Sequence, residues 1–116
     1  MYNFTAKVIS GRKTGRELGF PTANLDKLDL PISHGVYAVE VKPAGKSYQG
    51  LMHYGPKKTF DGEVTREVYI KNFSQNIYGQ TLEVKVIRKI REVRRFKNIE
   101  ELKKQISKDL LELNKS

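Results

Sequence analysis

Short segments in which apolar and polar side chains alternate fill much of the chain up to residue 90. In the clearest of them, Leu82, Val84 and Val86 alternate with Glu83 and Lys85. A period of two indicates a half-buried β-strand, because successive side chains point to opposite faces. Turn signals rich in glycine and proline separate the segments, which favours a small antiparallel barrel in a mostly β chain. The strand-like segments are residues 4–9, 36–42, 47–53, 65–72 and 82–90.

The last part of the chain has a different periodicity. Asn98 is a favourable helix cap, and Glu101 follows at the third helical position, as in a variant of the capping box. Apolar residues then recur every three or four positions, which places them on one side of a helix. We expect this apolar stripe to pack on the barrel as core. Its members are Ile99, Leu102, Ile106, Leu110 and Leu113.

Composition excludes several classes of protein. The chain has 116 residues and no cysteine, so disulfides and thiolate metal sites are excluded. It has no apolar run near the ~20 residues that span a bilayer, and no apolar N-terminal stretch suited to a signal peptide. We therefore expect a cytoplasmic protein with no membrane partner. The two histidines, His34 and His53, are too few and too separated in sequence for a zinc site.

The formal net charge is +9, and much of the excess lies in residues 88–97, where six of ten residues are basic and one is acidic. One interpretation is a solvated face around a strand end, with Ile90, Val93 and Phe96 turned inward. The others are attraction to an anionic nucleotide or to a nucleic acid backbone. Charge alone does not separate these interpretations.

Residues 11–24, GRKTGRELGFPTAN, combine the residue types that hold a metal–nucleotide complex. Glycines let backbone N–H groups approach phosphates, and nearby cations neutralise them. Thr22 and Asn24 offer hard oxygen ligands of the kind that magnesium prefers, and on extended chain they point the same way. The spacing fits neither a Walker A loop nor a dinucleotide fingerprint. An ordinary basic loop with a turn is an equally good interpretation of these residues alone.

Several segments, in order along the chain, resemble the riboflavin kinase family. The GFPTAN of residues 19–24 is similar to the PTAN signature of these flavokinases, which stand alone in eukaryotes and form the C-terminal module of bacterial bifunctional flavin synthetases. Further similar segments are GVYA at 35–38, EVYIKNF at 67–73, YG at 78–79 and a closing segment over 90–109. The resemblance implies one riboflavin kinase-like domain over residues 1–116, with a six-stranded antiparallel Greek-key barrel and a C-terminal α-helix beside the flavin site.

The resemblance also implies residue roles. Glu67 matches the catalytic glutamate, and on an alternating strand it faces opposite to Val68 and Ile70. The remaining roles follow the motif positions. By this resemblance, Thr22 and Asn24 contact Mg²⁺ and the ATP phosphates, and the phosphate loop is shaped by Gly11 and Gly15. The phosphate-binding cation is Arg16, with Lys13 as a second choice. The flavin end of the site contains Arg91 and Phe96.

The chain departs from the family pattern in places. In the segment that resembles N-x-G-x-x-P-T, His53 replaces the asparagine and Lys58 the proline, which bears on nucleotide preference. Tyr69 replaces a histidine and Asn72 an aspartate. No adenylyltransferase module precedes the barrel, so FAD synthesis by this chain is not expected.

The expected function is therefore that of a riboflavin kinase, which transfers the γ-phosphoryl group of ATP to the ribityl 5′-hydroxyl of riboflavin to give FMN. Its expected partners are riboflavin or FMN and ATP or ADP, with Mg²⁺ as cofactor, and we expect a monomer. Two alternatives remain from the sequence: a catalytically inactive flavin-binding regulatory module, and a basic nucleic-acid-binding β-barrel. The second is motivated by the charge of residues 88–97, although no dense aromatic platform for bases accompanies it.

Overall fold

The computed structural model describes residues 2–11, 22–26, 29–43, 45–56, 64–73 and 77–113. Over these ranges the chain forms six strands and one helix. They are β1 (Tyr2–Gly11), β2 (Thr22–Leu25), β3 (Gly35–Lys42), β4 (Tyr48–Pro56), β5 (Val64–Ile70), β6 (Thr81–Arg91) and α1 (Ile99–Glu112).

The strands close into an antiparallel barrel in the order β1-β2-β5-β4-β3-β6, with β6 pairing back to β1. Strands β3, β4 and β5 are successive neighbours, and β6 returns to lie beside β3, which is the Greek-key arrangement. The expected six-stranded Greek-key barrel with a C-terminal helix is therefore confirmed. Within the described ranges no helix is long and apolar enough to cross a bilayer.

Alternate residues of each strand fill the barrel interior, as the period of two predicts. Leu82, Val84 and Val86 of β6 are almost fully buried there, while Glu83 and Lys85 are exposed. Met52 of β4 and Val68 of β5 are completely buried in the same core. The barrel is thus held together by side chains that the alternating pattern identified.

The alternation of inward and outward side chains in β6 is interrupted near the end of the strand. Val86 pairs with Val39 and Arg88 with Ala38, so Ile87 is an extra residue in a β-bulge, and a second shift separates Lys89 from Arg91. A bulge inserts one residue and so reverses which side chains face inward. Simple alternation from Val86 would have turned Arg88 into the core, whereas the bulge places it on the outer face.

Some predicted boundaries were wrong in detail. The strand-like segment at residues 65–72 was predicted to reach Asn72, but β5 ends at Ile70, and Asn72 adopts the left-handed conformation with φ 62°. Asparagine tolerates this conformation better than most residues, so it suits the turn that follows. One of the glycine- and proline-rich turn signals lies at residues 43–45, between β3 and β4, and Gly45 there has φ 82°. Another, at residues 61–62, lies outside the described residues.

Helix α1 packs against the outside of the barrel. Leu113, just beyond the helix, is buried in a second apolar cluster with Val36, Ala38 and Leu51, and Leu110 packs against this cluster. The predicted apolar stripe is correct from Leu102 onward. Its first member is an exception: Ile99 is 53% exposed, because it lies in the first turn and does not reach the barrel.

The helix begins as the sequence predicted. The Asn98 side-chain oxygen accepts a hydrogen bond from the Glu101 backbone N–H at 2.9 Å, and the Glu101 carboxylate accepts one from the Lys97 backbone N–H at 3.3 Å. Asn98→Ala is expected to lower the free energy of unfolding by about 1 kcal/mol, because it leaves a helix N–H without its cap. Urea unfolding measures this, with Lys104→Ala on the exposed helix face as a control expected to stay within ~0.5 kcal/mol. Equal midpoints for Asn98→Ala and the unsubstituted chain would contradict the capping role.

Candidate active site

Glu67 lies on the outer face of β5 and is nonetheless buried, with only 4% of the residue exposed. Its strand neighbours Val68 and Ile70 point into the barrel core. The sequence left open which face of this strand would be covered, and in the structure both are. A buried carboxylate is uncommon and requires hydrogen-bond partners, so Glu67 is the natural starting point for a site.

Two threonine hydroxyls hold the Glu67 carboxylate. Thr22 of β2 donates to Oε1 at 3.2 Å, and Thr65 of β5 donates to Oε2 at 3.1 Å. Because an ionised carboxylate only accepts hydrogen bonds, this pair of donors suits the charged form. The arrangement therefore fixes the orientation of the carboxylate.

The two predicted metal-binding residues, Thr22 and Asn24, meet Glu67 on this face. Asn24 pairs directly with Glu67 across the β2–β5 ladder, and Thr22 lies two residues before it on the same side of β2. All three side chains present oxygen atoms, which is the donor type suited to magnesium. Among the described residues there is no group of three or more His, Cys, Asp or Glu that could hold a metal. A divalent ion at this place would thus take hydroxyl and amide oxygens from the protein, and other ligands would complete its coordination shell.

The same register extends into a row across the outer face of the barrel. Asn24 pairs with Glu67, Glu67 with His53, His53 with Val36 and Val36 with Arg91. Neighbouring strands lie ~4.8 Å apart, so the three steps from Glu67 to Arg91 span about 14 Å along the sheet. The expected base and the expected flavin residue therefore belong to one row of residues on the outer side of the sheet, which we call the outer row. Its middle members, His53 and Val36, are buried.

The phosphate-loop residues are described only at their edge. Gly11 ends β1 and pairs with Ala23, one position from the Ser10–Asn24 pair, so the chain enters the glycine-rich segment beside the outer row. Lys13, Gly15 and Arg16 lie outside the described residues.

Arg91 and Phe96 also come together, as their expected common role requires, but Arg91 has a strong partner within the protein. Its Nε lies 2.9 and 3.0 Å from the two carboxylate oxygens of Asp109 in α1, and its Nη2 lies 2.8 Å from Oδ2. Nη1 donates to the Glu92 carbonyl at 3.0 Å. The guanidinium has five N–H donors, so these contacts leave one on each terminal nitrogen.

Asp109 is the centre of a polar cluster that we call the helix clasp: Arg91, Arg94, Phe96, Gln105 and Asp109. The side chain of Asp109 is 3% exposed and also accepts from Gln105 at 2.9 Å, and Gln105 in turn accepts from Arg94 at 3.0 Å. Both cations lie over the Phe96 ring, with Arg91 Cζ 5.8 Å and Arg94 Cζ 5.0 Å from the ring centroid. The clasp joins the end of β6 and the segment after it to α1.

Contacts within the protein also engage much of the positive charge of the basic segment at residues 88–97. Arg88 donates to the Glu112 carbonyl at the end of α1, where a cation is favoured by the helix dipole. Lys89 forms an ion pair with Glu92 and donates to Ser33. Ile90, Val93 and Phe96 are half-buried, as the first interpretation of this segment expected. Four of its cations thus have partners inside the protein.

Two residues of the site were not identified from the sequence. Thr65 is 9% exposed and touches Glu67, and His53 is 6% exposed and sits opposite Glu67 in the β4–β5 ladder. The signal for Thr65 was its spacing, since residues two apart on a strand share a face. His53 was noted only as a departure from a motif, because strand register was needed to bring it to Glu67.

Comparison with known proteins places the chain among proteins of one family. The Flavokinase (riboflavin kinase) family model matches residues 1–116. The chain is 41% identical over 105 residues to the RNA-binding riboflavin kinase RibR of Bacillus subtilis, with 89% of this chain and 46% of that protein covered. It is 43% identical over 113 residues to the bifunctional riboflavin kinase/FMN adenylyltransferase of Haemophilus influenzae, with 94% of this chain and 36% of that protein covered. The chain therefore spans less than half the length of these relatives.

Solved structures give the same result for the fold. A Streptococcus pneumoniae structure described as a macrolide-efflux protein superimposes with a TM-score of 0.86 at 34% identity, over 98% of this chain and 38% of that one. Riboflavin kinase from Trypanosoma brucei superimposes with a TM-score of 0.64 at 24% identity, over 97% of this chain and 76% of that one.

Proposed function

This chain belongs to the riboflavin kinase family, and from that premise we propose that it transfers the γ-phosphoryl group of ATP to the 5′-hydroxyl of the ribityl chain of riboflavin, giving FMN and ADP. We also propose that residues 1–116 act as one domain, as a monomer and in the cytoplasm.

The observation that carries this proposal is the buried Glu67 carboxylate held by two hydroxyls on the outer row. A neutral primary hydroxyl is a weak nucleophile, and a positioned base assists by taking its proton. In the proposed reaction Glu67 accepts the hydroxyl proton, the ribityl oxygen forms a bond to the γ-phosphorus, and the bond from that phosphorus to the bridging oxygen of ADP breaks. The rest of the catalysis is alignment and charge neutralisation.

Thr22 and Asn24 are the residues we propose as protein ligands of the divalent ion, which we take to be Mg²⁺. Their oxygens lie beside Glu67 and one β-ladder step from the end of β1. Magnesium commonly takes few protein ligands and completes its shell with phosphate and water, so this sparse donor set fits it. When bound, the ion would neutralise charge on the transferring phosphoryl group. We further propose Gly11, Lys13, Gly15 and Arg16 as the phosphate-binding segment.

At the other end of the outer row, Arg91 and Phe96 are our proposed flavin contacts. Arg91 keeps two N–H donors beyond its contacts with Asp109 and Glu92, and these could serve a flavin carbonyl. The Phe96 ring is half-buried and offers an apolar face. Glu67 and Arg91 belong to the same row, about 14 Å apart along the sheet, and this is the separation that one elongated substrate would have to span.

Product analysis by chromatography tests the proposed function. The protein is incubated with riboflavin, Mg²⁺ and ATP, and in parallel with other nucleoside triphosphates. FMN that appears only with protein and triphosphate supports the kinase. The absence of FMN with every triphosphate, together with quenching of riboflavin fluorescence, would instead favour the inactive flavin-binding module.

The nucleic-acid alternative is not favoured. One relative, RibR of Bacillus subtilis, is named as an RNA-binding riboflavin kinase. In this protein, however, the basic segment is engaged in internal contacts through Arg88, Lys89, Arg91 and Arg94. Oligonucleotide binding with a steep salt dependence would revive this alternative.

A further inference from the structure

His53 is placed in the site by strand register. It pairs directly with Glu67, and its other ladder neighbour is the apolar Val36. The residue is 6% exposed, so its ring lies within the protein next to the carboxylate. Burying a polar ring nitrogen is costly unless it is hydrogen-bonded, so the contact that His53 Nδ1 makes is the place to look for a role of this residue.

The link between the two side chains is Thr65. Its Oγ1 lies 3.1 Å from Glu67 Oε2 and 3.5 Å from His53 Nδ1. A threonine hydroxyl has one hydrogen, and the shorter contact assigns that hydrogen to Glu67. Toward His53 the hydroxyl oxygen can therefore only accept, so the hydrogen in that contact must be on Nδ1. The three residues then form a chain in which Nδ1–H donates to Thr65 and Thr65 donates to Glu67.

We propose that His53 is a positioning residue for Glu67: its Nδ1–H fixes the Thr65 hydroxyl so that the proton of that hydroxyl points at Glu67 Oε2. Together with Thr22 on Oε1, this holds the carboxylate in one orientation toward the substrate hydroxyl. The inference rests on the proposed function, because it assigns to Glu67 the role of base. It also gives a physical meaning to the motif departure at position 53. Asparagine carries an N–H donor at the same distance from Cβ as His Nδ1, so either residue could fix the hydroxyl.

The charged and titratable groups around His53 are few among the described residues. Glu67 faces it from β5, with Tyr69 farther along the same face. From β3 it meets Val36, and beyond that strand Arg91 of β6 is bound to Asp109 of α1. The proposal concerns the tautomer of His53 and therefore requires no change in its charge.

The first test does not depend on turnover. Long-range proton–nitrogen NMR spectra of the histidine rings distinguish the Nδ1–H from the Nε2–H tautomer, and the chain has only two histidines to assign. We expect neutral His53 to be the Nδ1–H tautomer and Thr65→Val to shift it toward Nε2–H. His34 is exposed, and its ring centroid lies 5.0 Å from that of Tyr54 in a T-shaped arrangement, so its signals should not respond to Thr65→Val. An Nε2–H tautomer at His53 in the unsubstituted protein would overturn the proposal.

The second test is kinetic. His53→Leu and Thr65→Val are each expected to lower kcat for FMN formation about tenfold, with the KM for riboflavin unchanged, because the base is mispositioned rather than removed. The double variant should lose no more than either single one, since both break the same chain of hydrogen bonds. His53→Asn and Thr65→Ser should restore kcat to within ~2-fold, and His34→Asn serves as the matched control.

Equal kcat values for His53→Asn and His53→Leu would overturn the positioning role. A protein that makes no FMN at all would overturn the proposed function instead, while the NMR result would still decide whether His53 and Thr65 are linked as described. The two failures are thereby distinguishable.

Discussion

Glu67→Gln is expected to lower kcat for FMN formation by ~100-fold or more, because the amide cannot accept the proton of the ribityl hydroxyl. The substitution keeps the size of a buried side chain that two hydroxyls contact. One amide oxygen can still accept from Thr22 or Thr65, so most of the local geometry should persist. Chromatographic rates of FMN formation at saturating riboflavin and ATP measure the effect.

Glu83→Gln is the matched control, since Glu83 is an exposed glutamate on the outer face of β6 and belongs to no proposed contact. Its rate should equal that of the unsubstituted protein. A Glu67→Gln variant that keeps a third or more of the rate, in a protein of unchanged fold, would show that Glu67 is not the base. Riboflavin affinity of the variant should change little, because the proposed flavin contacts lie about 14 Å away along the outer row.

Arg91→Met is expected to lower the free energy of unfolding by about 3 kcal/mol, because it leaves the Asp109 carboxylate buried without its cation. The Asp109 side chain is 3% exposed and Arg91 supplies three of its close nitrogen–oxygen contacts. Gln105 remains as a donor, so the expected loss lies at the low end of the range for broken buried ion pairs. Urea unfolding followed by circular dichroism measures the change.

A double variant separates the ion pair from the packing. Arg91→Met with Asp109→Leu replaces both charges by apolar groups, and it should recover most of the lost stability. Arg95→Met, on the exposed part of the same segment, should stay within ~0.5 kcal/mol of the unsubstituted protein. Equal stability of Arg91→Met and Arg95→Met would show that the helix clasp does not hold α1. If the stable double variant also loses riboflavin affinity, the loss is attributable to the missing guanidinium.

The strands and the helix could be predicted from the sequence because their signals are local. A spacing of two predicts that one face of β6 carries Leu82, Val84 and Val86, and the helix is capped by the side chain of Asn98. Where local signals conflicted with the fold, the prediction was wrong. Ile99 fits the helical stripe but lies too early in α1 to reach the barrel, and Asn72 fits the strand but forms the turn after it.

Part of the candidate site was also predictable. Residue type, spacing and resemblance pointed to Thr22, Asn24 and Glu67, and the β2–β5 ladder brings these three together. Their catalytic and binding roles stay predictions. Thr65 and His53 were not found: the spacing of Thr65 from Glu67 was available in the sequence, whereas His53 needed the register of β4 and β5 to bring it to the carboxylate.

The sequence by itself determined which segments become strands, where the helix begins and which residue types are available for the chemistry, because these depend on neighbours along the chain. Only the tertiary structure decided which side chains from distant segments come into contact. The bulge at Ile87 in β6 turns Arg88 outward to the side where Arg91 also lies, and there α1 offers the Glu112 carbonyl and the Asp109 carboxylate as their partners. Closure of the barrel buries Val68 on one side of β5, while Glu67 is buried on the other with its hydroxyl donors. Pairing between distant strands sets these relations, and a local pattern cannot encode a register that depends on a partner far along the chain.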